Sequence, residues 1–374
     1  MQELMKSSQQ LIKESNRKLV FSLINRHGAI SRADIKKITR LSATTVSSLA
    51  EELIVDGLVA EGGVKDSSTS GRKAVLLHVR PEGGAFIGLD IQKNRIIADA
   101  YGLDFSPTFH TAIPFADSEE WTAPLLQALS AAAQGRRVLG VTIGFPGVID
   151  AAENTLVSST VLDTEHAANI YQLVKELLPE VIVRLRNNSG LIAYAEKEFG
   201  AHGAVNNLVS IDIDDGVGAG IILGGAIYDG SNGMAGEFGH ISVDYHGKRC
   251  KCGSYGCLEQ TASVPAILEK TQCATLEQLR KKLDSGDAET LSLVDDTAKA
   301  LAFGINNIIN IIDPELIVIG GLIRELGTYL LTPLRQYISR ISLLKNKPVE
   351  YSVLEGNLVT LGGARFSFDE MFGA

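Results

Sequence analysis

Residues 239–260, GHISVDYHGKRCKCGSYGCLEQ, hold three of the chain's four cysteines, and His240 stands just upstream of them. Thiolates and an imidazole at this spacing are the ligand types proteins offer to zinc. Three uses of such a set remain open at this point: a finger that reads DNA, a catalytic centre, or a brace for neighbouring residues. A catalytic zinc keeps one position free for water, whereas His240, Cys250, Cys252 and Cys257 supply four protein donors, enough to close a tetrahedral site. A DNA-reading finger needs its last ligands on a helix and a basic surface, and the stretch reads as having neither. Carboxylates flank the cluster at Glu237 and Glu259. Further glycine-rich turns stand in TIGFPGVID (Gly144, Gly147), DDGVGAGIIL (Gly216, Gly218, Gly220) and IIDPELIVIGG. Each is a place where a backbone can approach a ligand, and each alone reads equally well as a plain turn.

The elements that must position these residues belong to a chain of 374 residues, 45% apolar and 21% charged, with 37 glycines. That is a globular α/β composition of two to three domains. No apolar run reaches the length of a membrane span, and the polar start MQELMKSSQQLIKESNRKLV lacks a secretory core, so a cytoplasmic protein without membrane insertion is expected. Four cysteines in so long a chain make no disulfide framework, and Cys273 is expected to be a buried thiol. The net charge of −9 is uneven: residues 1–80 carry 13 Lys/Arg against 8 Asp/Glu, and the rest 22 against 36. A basic head on an acidic body directs any search for nucleic-acid contact to the head.

Within the head, Val20, Leu23 and Ile24 recur at helical spacing up to Gly28. Ser31 is expected to cap a second helix that buries Ala33, Ile35 and Ile38, and Ser42 a third. On that third helix Val46, Leu49, Ala50 and Leu53 form one apolar stripe, which turns Thr44, Thr45, Ser47 and Ser48 outward. Short hydroxyl side chains there, with Ser42, suit phosphates and base edges in a major groove. Two strands around a Gly/Ser-rich tip follow, and the tip offers Arg72 and Lys73 to the minor groove. The pattern predicts a winged helix-turn-helix over residues 1–80; a three-helix protein-interaction module shares the periodicity but not the basic tip.

In the body, AFIGLDIQKNRIIADAYG and NLVSIDIDDGVGAGIILGG form a weak repeat: an apolar strand carrying Asp90 or Asp212, a turn, and a second apolar strand. A duplicated α/β fold with a ligand cleft between two lobes is expected.

In order along the chain, GFPGVID, GSNGMAGEFGHISVD, CKCGSYGCLE and DPELIVIGG closely resemble the ROK family of repressors and sugar kinases. The winged head resembles its repressor branch, typified by xylose, N-acetylglucosamine and Mlc-type regulators. The resemblance covers essentially the whole chain. It implies an actin-like, ribonuclease-H-like body with a structural zinc loop, the first lobe at 82–187 plus 362–374 and the second at 188–361. It also implies that zinc braces a loop beside a sugar pocket lined by Gly147, Asn187, Asn188, Glu237, His240 and Glu259, with His240 serving metal and sugar.

Two departures separate the chain from the family's kinases. Their first lobe opens with Asp and a Gly-Gly-Thr turn for ATP phosphates; here Asp90 is followed by Gln92, Lys93 and Asn94. Their Glu-Asn-Asp-Ala run carries the general base, and Arg186-Asn187-Asn188-Ser189 stands in its place. Asparagine cannot take that proton. The resemblance therefore implies a sugar-responsive repressor of carbohydrate uptake or catabolism genes, acting on operator DNA as a homodimer or higher homo-oligomer, and not an enzyme. An active sugar kinase and a regulator docked by a sugar-transport component are the alternatives.

Overall fold

A computed structural model describes residues 2–64, 74–116, 121–159, 161–162, 169–203 and 205–373. Their contacts form two compact units. One comprises Met1–Pro146, Asn154–Leu185 and Gly363–Ala374, the other Gly147–Glu153 and Arg186–Gly362.

In the first unit the head begins with the helix Gln2–His27, which buries Val20, Phe21, Leu23 and Ile24. Ser31 accepts the Asp34 amide and so caps the helix Arg32–Thr39, which stops at Arg40 in a left-handed conformation, φ 60°. Ser42 caps the third helix, Ala43–Val55, by accepting the Thr45 amide; Val46, Leu49, Ala50 and Leu53 are its buried stripe. Strands Val59–Val64 and Val75–Val79 pair antiparallel, and the two-residue strand Ile30–Ser31 joins the latter as a third member. That is a winged helix-turn-helix. One expectation needs correction: Ile35 alone of the three residues assigned to the second helix's core is buried, while Ala33 is exposed and Ile38 is 51% exposed. Two turns of helix meet their neighbours along a single line. Ala33 lies about 200° around the axis from Ile35, and Ile38 falls one turn beyond the contact.

The two lobes repeat one topology. In the first, the antiparallel meander Ala85–Ile91, Arg95–Tyr101 and Pro107–Pro114 is extended past its first strand by Val138–Phe145 and then Ile182–Asn187. In the second, Leu208–Ile213, Val217–Leu223 and Ala226–Ile227 form the meander, extended by Leu316–Gly320 and Val349–Tyr351. The first strand of each lobe runs parallel to the first extension strand, and the register pairs Asp90 with Gly144 in one lobe and Asp212 with Gly320 in the other. The weak sequence repeat is thus a structural one.

Strand Ala85–Ile91 is buried at every position, because helices cover both faces of its sheet. The helix Thr122–Ala133 lies on one side. On the other, the helix Leu358–Phe372 brings Ser367 to within 2.6 Å of the Thr142 hydroxyl and Phe368 against Phe86. In the second lobe the helices Ala288–Ile312 and Thr328–Ile341 cover a core that includes Ile211, Leu301, Ile305, Ile319 and Leu334. The helix Asn188–Phe199 packs on the other face of the sheet, with Ser189 and Ala193 against Gly220. No described helix is long and apolar enough to cross a membrane.

Candidate metal centre and nucleic-acid interface

The loop after strand Val217–Leu223 descends to a 3₁₀ turn, Phe238–His240, and then doubles back on itself. Ser242 pairs with Cys257 and Arg249 with Tyr255 in antiparallel fashion, and the amides of Val243 and Leu258 donate to the carbonyls of Gly256 and Ile241. The fold-back needs glycine at 256: φ is +59° there, and an added Cβ would collide with the Asp244 carbonyl. This knuckle gathers His240, Cys250, Cys252 and Cys257 so that their donor atoms all lie within 4.8 Å of one another. Cys252 Sγ is 3.6 Å from Cys257 Sγ, and Cys250 Sγ is 3.8 Å from His240 Nδ1. Ligands about a tetrahedral zinc ion stand roughly 3.5–3.8 Å apart, so the spacing fits such an ion.

The chemistry of the donor set points the same way. Burial and the neighbouring sulfurs push the Cys257 thiol up to about 12, while the Ser254 amide holds Cys252 below the ordinary thiol range. Without a cation the Cys257 sulfur resists ionising; a bound cation would let it. Cys273, the fourth cysteine, is buried apart, with its thiol directed at the Thr271 carbonyl. The knuckle does carry a basic surface, contrary to the sequence reading: Lys248, Arg249 and Lys251 are exposed on it beside Tyr245 and Tyr255. Cys250 and Cys257 are buried, while Cys252 is exposed together with these cations.

His240 faces two ways. Its Nδ1 belongs to the cluster, and its Nε2 lies 3.9 Å from the Glu237 carboxylate. Glu259 accepts the Val217 amide at 3.2 Å. The next residue of that strand, Gly218, has room for no side chain because the Ser189 hydroxyl stands against it. Two consecutive strand residues therefore bring Glu259 and the N-terminus of helix Asn188–Phe199 to one place. Asn187 caps this helix: its Oδ1 accepts the amides of Ser189 and Gly190, and its Nδ2 donates to the Gly147 carbonyl at 2.8 Å. Gly147, Asn187, Asn188, Glu237, His240 and Glu259 all belong to the second unit and are all half-buried. Asn187 has a structural duty that motif matching did not show, and only one N–H of its amide is left over. Near them, burial raises the Asp229 carboxyl above its usual range, an effect that Arg186 partly offsets.

In the first lobe, the turn after Asp90 is occupied by side chains. The Gln92 amide donates to Asp90 at 2.6 Å, and its carbonyl oxygen accepts from Arg95 Nε at 2.6 Å. The corresponding turn of the second lobe carries Gly216 and Gly218, and there Asp214 accepts the Leu322 amide.

On the head, Ser42, Thr44, Ser47 and Ser48 are exposed and Thr45 is half-buried. The Ser42 hydroxyl lies 2.7 Å from both the Thr44 and the Thr45 hydroxyl, so the three form one hydroxyl cluster at the start of the helix, with Ser47 and Ser48 exposed beyond it. Arg72 and Lys73 lie outside the described residues. Motif reading missed the exposed cations of the second helix and its turn, Lys36, Lys37 and Arg40. Other head cations are tied to acids, Lys13 to Glu52, Arg17 to Asp56 and Arg32 to Glu61. The signal was available: three Lys/Arg within residues 36–40.

A winged helix joined to a duplicated α/β body with a Cys3His knuckle defines a class of two-part proteins. The ROK family model matches residues 88–364, and this chain belongs to the ROK family. It is 30% identical over 390 residues, spanning 96% of this chain and 97% of the other, to a putative xylose repressor of Caldicellulosiruptor sp. strain Rt8B.4. It is 26% identical to the DNA-binding transcriptional dual regulator NagC of Escherichia coli K12, covering 92% and 90% of the two chains. Among solved structures it is similar to a ROK family transcriptional regulator described as a homologue of the E. coli MLC protein: TM-score 0.84, 28% identity, 97% of each chain.

Proposed function

We propose that this chain is a sugar-responsive transcriptional repressor of carbohydrate uptake or catabolism genes, acting in the cytoplasm as a homodimer or higher homo-oligomer. The winged head binds operator DNA: Ser42, Thr44, Thr45, Ser47 and Ser48 face the major groove, Lys36, Lys37 and Arg40 face phosphates, and Arg72 and Lys73, outside the described residues, contact the minor groove. In the second lobe Glu237, His240 and Glu259 hydrogen-bond the hydroxyls of a sugar, with Asn188, Gly147 and the remaining N–H of Asn187 alongside. Zinc is structural: His240, Cys250, Cys252 and Cys257 would hold it, and it would fix the stems that carry Glu237 and Glu259.

The observation that carries this reading is the coexistence of two features in one chain. An exposed hydroxyl face caps the recognition helix, while the body keeps a polar set suited to sugar around His240. Likeness to named repressors over nearly the whole length supports it. Phosphoryl transfer is disfavoured because Asn188 cannot accept a proton and Gln92 fills the turn that phosphates would need.

The test is fluorescence anisotropy of a labelled promoter fragment next to the protein's own gene, with D-xylose, D-glucose, N-acetyl-D-glucosamine and their phosphates added in turn. One sugar should change the DNA affinity by roughly 5–150-fold. Glu237→Gln should weaken that sugar about tenfold or more while leaving sugar-free DNA binding unchanged, since a charge-assisted hydrogen bond is worth about 1.5–3 kcal/mol. DNA binding that no sugar alters would sink the sugar-responsive reading.

A further inference from the structure

Among the described residues, the head is held to the first lobe at two places, and the chain between them is bonded to both. At the first, the Arg80 amide donates to the Leu58 carbonyl at 2.9 Å, and the Leu103 amide donates to Pro81 at 3.1 Å. The 3₁₀ turn Pro81–Gly83 lies between, with Gly83 so close to the Gly57 carbonyl that a side chain there would collide with it. Arg137 reaches across to the Asp56 carbonyl.

The second attachment is aromatic. Phe21, fully buried on the head's first helix, stacks on Phe372 of the C-terminal helix with centroids 4.0 Å apart and planes 28° apart. Phe368 stands 6.0 Å from Phe21 and 5.5 Å from Phe86 of the lobe's first strand, and Phe105 closes the group at 5.0 Å from Phe368. Polar contacts flank the rings: Lys18 Nζ donates to the Glu370 carbonyl at 2.9 Å, and Arg184 pairs with the Glu370 carboxylate at 2.8 Å. Three separate parts of the chain meet in this cluster.

The helix that supplies Phe368 and Phe372 also changes unit along its length. Leu358–Phe372 is one continuous helix, yet its residues up to Gly362 group with the second unit and those from Gly363 onward with the first. Gly362 sits against the Leu191 carbonyl, in the helix that begins at Asn188. Gly363 sits against Thr142.

We propose that Phe368 and Phe372 are positioning residues for DNA recognition: the C-terminal helix sets the placement of the head through the ring stack on Phe21. The proposal rests on the repressor reading above. A stacked aromatic cluster packs at crystal-like density and does not deform smoothly, so a displacement of the helix carries the head with it. A flexible tether would dissipate the same displacement. The DNA-facing side chains take no part in the cluster. Loss of the stack therefore alters where the head is held and leaves its contact chemistry intact.

The experiment uses the full-length protein and duplex DNA selected from a random-sequence library by the wild type. Affinity is measured by anisotropy for the selected duplex, for an isolated half of it, and for a series with 1–10 base pairs inserted between the halves. Phe372→Ala should bind the isolated half within twofold of wild type, lose at least tenfold on the intact duplex, and lose the wild type's preference for one spacing. Phe372→Tyr, which keeps the ring, should restore all three properties. If the alanine variant fails to fold by circular dichroism, Phe372→Leu is read in its place. A folded variant with a wild-type spacing profile overturns the proposal, whatever its melting temperature. Equal losses on half and intact duplex overturn it too, because the damage then lies in the reading helices. If the wild type enriches no DNA, the repressor reading falls, and this proposal with it.

Discussion

The two lobes share a sheet order and differ in what they place at the end of their first strand. After Asp90 the first lobe closes its turn with side chains, Gln92 bridging Asp90 and Arg95. After Asp212 the second lobe keeps glycines at 216 and 218, and the space beside them is taken by the Glu259 carboxylate and the Ser189 hydroxyl. The first lobe also carries the head, through Phe21 and the linker, while the second carries the Cys3His knuckle and every candidate sugar residue. One architecture thus carries the head on one copy and the Cys3His cluster with the candidate sugar residues on the other. The difference teaches that the fold alone does not name the function of either copy; the residues at equivalent turns do.

The largest expected effect comes from removing one donor of the knuckle's candidate metal site. Cys257→Ser should lower bound zinc, measured by elemental analysis, from about one ion per chain to about a tenth of that, since a structural site requires all four ligands. Hydrogen exchange should accelerate in residues 237–260 while the first lobe and head keep their protection, and the effect of sugar on DNA binding should vanish. Equal loss of protection in both units would contradict the division of labour.

A smaller effect sharpens the other side. Gln92→Ala removes a hydrogen-bond partner from Asp90, which is only 2% exposed, and should destabilise the chain by about 1–3 kcal/mol. Chemical denaturation reads the loss. Calorimetry with a non-hydrolysable ATP analogue should still show no binding, and sugar affinity should stay within twofold of wild type. Nucleotide binding by this variant would mean that the first lobe's turn is merely latched.

The smallest effect concerns Glu196, on the helix that Asn187 caps and only 5% exposed. Burial raises its carboxyl above the usual range, against the opposing influence of Ser352, Arg324 and His202. A carboxyl raised in the folded state stabilises below its unfolded value of 4.5, and that stability is lost as pH rises through the folded value. Glu196→Gln should therefore gain melting temperature relative to wild type as pH increases above 4.5. Comparing the two proteins at each pH cancels the pH dependence of every other group. A difference that shrinks with rising pH would refute the assignment.

What the sequence by itself determined was whatever depends on close neighbours along the chain. The caps Ser31 and Ser42, the stripe Val46–Leu49–Ala50–Leu53, and the knuckle's four donors were legible because each is set by spacings of a few residues, where helix period or hairpin geometry fixes the outcome. The repeat carrying Asp90 and Asp212 was legible because the duplicated strands keep the same order. The exposure of Ile38, by contrast, depends on how far the second helix's neighbours extend, which its own periodicity does not encode. The cap at Asn187 needed the helix start to be placed to the residue, and the bond to Gly147 joins positions 40 apart.

Only the tertiary structure could bring Phe21, Phe86, Phe105, Phe368 and Phe372 into one cluster, or set Glu259 and Ser189 against the consecutive strand residues Val217 and Gly218. Each of those rings, read alone, is one more apolar residue in a core. Contacts between distant segments depend on sheet order and helix docking, where many weak interactions are decided together and no single spacing carries the information.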